Sequence, residues 1–333
     1  MRRRDFIALA GGAAAAWPGC LVAQTANEPE KKMPRIGFLA SAPPPLTQPL
    51  FDAFDRGLRE QGYIEGQNIL IERRFWKNDQ AQLSKFAAEF VATGVDLIVA
   101  PTTPEALAAK SVTNTIPIVT ATANPVAAGL AASFARPGGN VTGLTAGPGR
   151  VSKNLSLLAE AVPEASRFAV LMDPGNPLHA EILPELDSIA AQRHLQIVPV
   201  VKRSVDDIGP AFATMTEKGI QALVVLSDPI EFANRRRIIE LAAQNRIPAV
   251  YSWREEAVEG GLLAYGADIA DLLRRSASYV AKLLQGAKAA ELPIEQAERF
   301  HLVINLKTAN ALGITIPPQL LALADEVITT LGR

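Results

Sequence analysis

Short apolar runs alternate with amphipathic stretches along most of the chain. Arg35 to Ala40, Asn68 to Phe75, Asp96 to Ala100 and Ile116 to Ala121 are rich in Ile, Val, Leu and Phe at strand length, which predicts strands. Between them Leu50 to Gln61, Gln80 to Thr93 and Pro104 to Val112 predict helices. A second series repeats the scheme, with strands at Phe168 to Met172, Gln196 to Val201, Ala222 to Leu226 and Ile247 to Tyr251. Its helices are expected at Pro177 to Arg193, Val205 to Lys218 and Pro229 to Asn245. The strand runs are continuously apolar rather than alternating, the pattern of strands covered on both faces in a parallel sheet. Asp96-Leu-Ile-Val-Ala, a helix and Ile116-Pro-Ile-Val are echoed by Ala222-Leu-Val-Val-Leu, a helix and Ile247-Pro-Ala-Val, which supports two α/β lobes of like build.

Four apolar runs end in a capping residue followed by proline: Thr103-Pro104, Asn124-Pro125, Asn176-Pro177 and Asp228-Pro229. Thr, Asn and Asp accept hydrogen bonds from the free N–H groups of a first helical turn, and proline fits the first helical position. Each pair predicts a strand-to-helix junction. In parallel α/β sheets such junctions lie at the carboxyl edge of the strands, where ligands bind. Between the two series, Arg136-Pro-Gly-Gly-Asn-Val-Thr-Gly143 and Gly147-Pro-Gly149 punctuate the chain, as a surface loop or as a crossing between lobes. Arg235-Arg236-Arg237 is expected on a solvated helix face. Asn305 to Asn310 predicts a strand ending in a short helix, with Gly313 as its left-handed stop.

The N-terminus adds a location. Arg3-Arg4-Asp5-Phe6-Ile7 followed by the small apolar run Ala8 to Ala16 reads as a twin-arginine export signal. The run is shorter than the roughly 20 residues of a membrane span. Leu21-Val22-Ala23 offers a cleavage site and Ala26 a second, so residues 1–26 are assigned to the signal. Cys20, the single cysteine, raises lipoprotein anchoring as a rival, against which Trp17 stands where a lipobox takes Leu. Removal of the signal leaves about 305 residues, more than one core usually holds and enough for two domains. A net charge of −1 gives no footprint for nucleic acid, and nothing after the signal reaches membrane-spanning length.

Catalytic motifs are missing. There is no G-x-S-x-G elbow, Walker loop or G-x-G-x-x-G after a strand, and His179, His194 and His301 are too dispersed for a helical metal pair. No metal or cofactor is implied. Asp228 and Asp173, at strand ends, suit either bases or helix caps.

Ile36-Gly37-Phe38-Leu39, Ala135-Arg-Pro-Gly-Gly-Asn-Val-Thr-Gly143, Leu262-Leu-Ala-Tyr-Gly266 and Val303 to Gly313 with Ile316-Pro-Pro318 together resemble the ABC transporter substrate-binding proteins of the tryptophan/tyrosine-transport type, in order along the whole mature chain. The resemblance implies a type I periplasmic binding protein: two Rossmann-like α/β lobes with parallel sheets, joined by a hinge of three crossing segments and closing on a small ligand. On this chain the N-terminal lobe is expected at 33–145 plus about 268–290, and the C-terminal lobe at 146–267 plus about 296–333. It further implies a periplasmic monomer whose partner is an ABC permease with its ATPase. The ligand expected is an amino acid, most of all an aromatic one, or a related small carboxylate. A receptor for a membrane sensor and an exported α/β enzyme are the alternatives.

Capped helix N-termini facing one another suit a zwitterion. Thr102 and Thr103, joined by Ser41, are the first candidates for its carboxylate. Asn124 stands where the resembled family often has Asp, which removes a charge. Asp228 and Asp268 are therefore the candidates for its ammonium. Tyr251, Trp253 and Tyr265 are expected to stack on a ring, with Phe75 and Trp76 as alternatives from the first lobe, and Asn176 adds a polar contact.

Overall fold

The computed structural model describes residues 33–147 and 149–329. The export signal and Cys20 lie outside the described residues. The first series forms β1 (Arg35–Ala40), α1 (Gln48–Glu60), β2 (Leu70–Phe75), α2 (Gln80–Thr93), β3 (Leu97–Val99), α3 (Thr103–Val112), β4 (Ile118–Thr120) and β5 (Val141–Thr145). The second forms α4 (Arg150–Ala161), β6 (Arg167–Met172), α5 (Pro177–Gln192), β7 (Gln196–Val201), α6 (Ile208–Glu217), β8 (Ala222–Val225), α7 (Pro229–Gln244), β9 (Ala249–Tyr251), α8 (Arg254–Val258) and β10 (Leu263–Ala267). Then come α9 (Ile269–Leu284), β11 (Glu295–Gln296), β12 (Phe300–Asn305), α10 (Leu306–Leu312), α11 (Pro318–Leu323) and β13 (Glu326–Ile328).

These strands make two sheets. One runs β11-β5-β4-β3-β1-β2 and is wholly parallel. The other runs β13-β12-β10-β9-β8-β6-β7 and is parallel except where β12 meets β10. The chain passes between the sheets after β5, after β10 and between β11 and β12. After the second passage α9 packs on α1, so its apolar face completes the core of the first sheet.

Each sheet is covered on both faces, which is why its strands are continuously apolar. In the first sheet Ile36, Phe38 and Val99 pack under α1 and α9, while Leu39, Ile98 and Ile118 pack under α2 and α3. In the second, Phe168, Val170 and Val224 face α4 and α5, and Leu171, Leu223 and Val225 face α6 and α7.

Three expectations need correction. Asn124-Pro125 opens only a turn: the Asn124 side chain accepts from the Ala127 N–H, but Gly129 at φ +68° lets Leu130 N–H return to the Pro125 carbonyl and closes the turn at once. The Gly/Pro-rich segment is not simply a loop, because Val141–Thr145 is a fully buried strand. Gly143 is required there, since a Cβ would stand 2.2 Å from the Thr120 carbonyl oxygen of β4. Arg235 is buried rather than solvated. Helical spacing places it with Ile238, Ile239 and Ala242, and its guanidinium lies 4.8 Å from the Phe232 ring and bonds Glu259 at 2.7 Å.

Candidate functional site

A cavity of about 270 Å³ opens between the carboxyl edges of the two sheets. From the first sheet it is walled by the residues that follow β1, β3 and β4, and from the second by those that follow β8 and β9 and the first turns of α4, α5 and α7.

On the first wall Thr102 is the N-cap of α3. Its N–H donates to Glu105 Oε2 at 3.0 Å, and its hydroxyl, like that of Thr122, is buried without a partner. Thr103, Ser41 and Asn124 line the same wall, with Asn124 Oδ1 accepting from Ala127 N–H at 3.1 Å. Glu105 Oε1 accepts from Trp76 Nε1 at 2.8 Å. Burial pushes the Glu105 carboxyl up to about 7, and these hydrogen bonds only partly oppose the shift.

On the second wall Asn176 caps α5, its Oδ1 accepting from Leu178 N–H at 3.2 Å. Asp228 caps α7 through Glu231 N–H at 2.8 Å and forms an ion pair with Lys202, both side chains being shut off from water. His179 Nδ1 accepts from Asp173 N–H, which leaves Nε2 to donate to the Ser227 carbonyl at 3.2 Å. Burial lowers its pKa, against the pull of Asp228, so the ring is neutral and serves as a brace. Trp253 Nε1 donates to Ser227 Oγ at 2.8 Å and fixes the indole plane at the cavity.

Arg150, the first residue of α4, presents its guanidinium 5.4 Å from the Trp253 ring. The residue is 7% exposed, and its Nε and Nη1 have no hydrogen-bond partner. Among the described residues no carboxylate lies within ion-pair distance of it. Desolvation lowers its pKa, and Glu256 and Glu231 act from further off in the opposite sense. Guanidinium stays protonated in proteins, so this is a buried positive charge. Behind it the carboxyls of Glu231 and Glu256 are both fully buried. Glu256 Oε2 accepts from the N–H groups of Ser252 and Trp253 at 3.0 and 2.8 Å. Burial, and then the charge of Glu256, push Glu231 furthest up, so Glu231 carries the proton of the pair.

The cavity thus brings together Ser41, Thr102, Thr103, Asn124, Asn176, Asp228 and Trp253, and it leaves out Tyr251, Tyr265 and Asp268. Alternation along β9 sends Val250 to one face of the sheet and Tyr251 to the other, into the core under α6 and α7. Tyr265 stacks on Phe300 at 5.8 Å, and Asp268 caps α9 through Asp271 N–H. Phe75 and Trp76 pack in the first lobe's cores instead of lining the cavity, whose rings are Phe38, Phe51, Phe232 and Trp253. Arg150 escaped sequence reasoning because Gly147-Pro-Gly149 reads as punctuation. The available signal is a cation at the first position of an amphipathic helix, where the helix dipole disfavours it.

Over residues 46–328 the chain matches the family model described as ABC transporter substrate binding protein. The chain belongs to this family. Among relatives of this substrate-binding protein is a tyrosine-binding protein of Clostridioides difficile (strain R20291), 28% identical over 85% of this chain and 82% of that one. A protein from Streptococcus pneumonia, solved in complex with L-Trp, superposes with a TM-score of 0.82 at 26% identity, covering 89% of this chain and 99% of that one. A conserved domain protein from Vibrio cholerae O1 biovar eltor gives 0.83 at 28% identity over 89% and 100%. The two-sheet α/β architecture of the substrate-binding protein is that of type I periplasmic binding proteins, as the sequence predicted. Family and neighbours are binding proteins rather than enzymes. Among the described residues no group of His, Cys, Asp or Glu is placed to hold a metal, and no helix is long and apolar enough to cross a membrane.

Proposed function

We propose that this substrate-binding protein captures a small carboxylate with a ring-bearing apolar body and hands it to an ABC importer. The observation that carries the reading is Arg150: a buried guanidinium with two unbonded nitrogens, on a residue that lines a cavity walled by Phe38, Phe51, Phe232 and Trp253. A buried charge is costly unless paired, and a ligand carboxylate supplies the pair. Thr102 and Thr122 add hydroxyls at the facing wall. The tyrosine-binding relative and the L-Trp complex support a ring-bearing solute.

The two sheets with their helices act as lobes, residues 33–145 with about 268–290 and 146–267 with about 296–333, which close on the solute about the crossing segments. The protein works as a monomer in the periplasm. Residues 1–26 direct export by the twin-arginine route, and a permease with its ATPase is the partner. No chemistry is performed on the solute.

Thermal unfolding against a panel of aromatic acids, aromatic amino acids, aliphatic carboxylates and sugars tests the reading. A solute at a hundred times its dissociation constant adds about 2.7 kcal/mol, a rise of about 5 °C in midpoint for a chain of this size. A rise with ring-bearing carboxylates that Arg150→Gln abolishes is expected. Equal rises with sugars, or a response indifferent to Arg150→Gln, would overturn it.

A further inference from the structure

Behind the second wall of the cleft one carboxylate holds the corner at which Arg150 and Trp253 meet. Glu256, in the first turn of α8, accepts the N–H groups of Ser252 and Trp253 on a single oxygen, Oε2, at 3.0 and 2.8 Å. These bonds fix the backbone of Trp253, which lines the cavity and whose ring lies 5.4 Å from the Arg150 guanidinium. β10 closes on the same turn at Gly266. A Cβ there would stand 1.9 Å from the Ser252 carbonyl oxygen and 3.7 Å from Arg150 Cδ, so Ser252, Gly266 and Arg150 meet with no side chain between them. Glu256 itself is fully buried and does not line the cavity.

This carboxylate carries a charge. Glu231 keeps the proton of the pair and hydrogen-bonds Glu256, while the two backbone N–H groups and the Arg235 guanidinium also favour the ionised form of Glu256. Tyr251, beside both acids, is held neutral by burial and by their charge. Glu256 is also the foremost charge acting on Arg150, which it attracts without reaching ion-pair distance. Its sign is that of a solute carboxylate. An anion at Arg150 is therefore drawn by the guanidinium and opposed by the like charge behind it, an opposition that burial strengthens because little water screens it.

We infer that Glu256 is a positioning residue that limits the affinity of the site: it fixes the corner formed by Trp253 and Arg150, and its negative charge opposes the solute carboxylate, so that a solute captured by Arg150 is also released. This rests on the reading of Arg150 as the carboxylate anchor. Glu256→Gln separates charge from structure. Both backbone bonds converge on one oxygen, and the amide oxygen of Gln can accept them both, so the variant removes the charge and keeps the turn. A double variant, Glu231→Gln with Glu256→Gln, covers the case in which Glu231 ionises in place of its neighbour. Parent and variants, freed of retained solute by unfolding and refolding, are titrated calorimetrically at neutral pH with L-tyrosine, L-tryptophan, 3-phenylpropionate and indole-3-propionate, and with the primary amide of each. At least one acid is expected to bind about fivefold or more tighter to one of the two variants than to the parent, with no gain for its amide. A merely structural Glu256 predicts the opposite sign, because a loosened wall weakens acid and amide alike. If Arg150→Gln weakens the acids but neither glutamate variant binds them more tightly, or the amides gain as much, the inference falls and the anchor stands. If no acid binds the parent, or Arg150→Gln leaves binding unchanged, both fall.

Discussion

Arg150 sets a trade between stability and binding. Its guanidinium is desolvated, has no carboxylate within ion-pair distance and leaves two nitrogen positions unbonded, with the Trp253 face and the more distant charge of Glu256 in return. Replacing an unpaired buried charge by an apolar side chain of similar length commonly stabilises a fold, by about 1 kcal/mol or more once the lost ring contact is subtracted. Arg150→Met is therefore expected to raise the melting midpoint of the solute-free protein while abolishing the solute-dependent rise. Glu105 behaves differently, because its charge is conditional. Its pKa is 4.5 when the chain is unfolded and about 7 when folded, so between these values the folded state binds more protons and stability falls as pH rises. The loss is complete above about pH 7 and amounts to about 3 kcal/mol. Glu231 and Glu256, also pushed up by burial, act with the same sign. Midpoints measured from about pH 5 to 8 should decline, and Glu105→Gln should remove the part of the decline that ends near neutrality. That variant also loses about 1–3 kcal/mol at every pH, because its amide nitrogen would face the N–H of Trp76 or Thr102. An undiminished slope in the variant would assign the decline to the Glu231 pair. The caps Asn176 and Asp228 were legible in the sequence because their partners lie two or three residues away. The isolation of Arg150 was not, since it depends on which distant acids fail to reach it.

Elements were legible where one local rule dominates. Continuous apolar runs gave most strands of both parallel sheets, and Gly313 ends α10 in the left-handed region as its residue type predicts. Local rules failed where tertiary contact decides. β5 looks like a turn-rich segment because Gly143 answers a close approach from β4, which no neighbour in sequence announces. Asn124-Pro125 has the start signal of a helix but meets Gly129 one turn later. The same logic governs the packing of α1 on α9. Gly57, in the middle of α1, lets the helices approach so closely that a Cβ there would stand 2.0 Å from the Arg274 carbonyl oxygen, a backbone atom that cannot swing aside. Gly57→Ala gains helix propensity of about 1 kcal/mol, yet the forced separation costs about 1–3 kcal/mol by disturbing Phe54, Leu58, Leu273 and Ala277. A net fall in urea midpoint is expected, whereas a rise would mean that the two helices slide apart freely.

At the scale of the molecule one contact links the two sides of the cleft. Asn78, in the turn between β2 and α2, donates from Nδ2 to the Pro229 carbonyl at 3.4 Å, joining the first sheet's side of the cleft to the first turn of α7. Pro229 follows Asp228, so this link and the cavity share one turn of chain. Asn78 does not line the cavity, and its backbone sits at φ +62°, where glycine is at ease. Asn78→Gly therefore deletes the side chain without straining the turn. If the lobes close about the solute, the link favours the closed arrangement, and a solute that requires closure is held more weakly by the fraction of closed state lost. One hydrogen bond is worth about 0.5–1.5 kcal/mol net, so the apparent affinity should fall by about two- to tenfold. The loss should lie mainly in faster release, because the contacts with Arg150 and Trp253 are untouched. Small-angle scattering of the solute-free variant should show a larger radius of gyration than the parent, and saturating solute should bring the two together. An unchanged release rate would mean that the Asn78 link plays no part in holding the cleft shut.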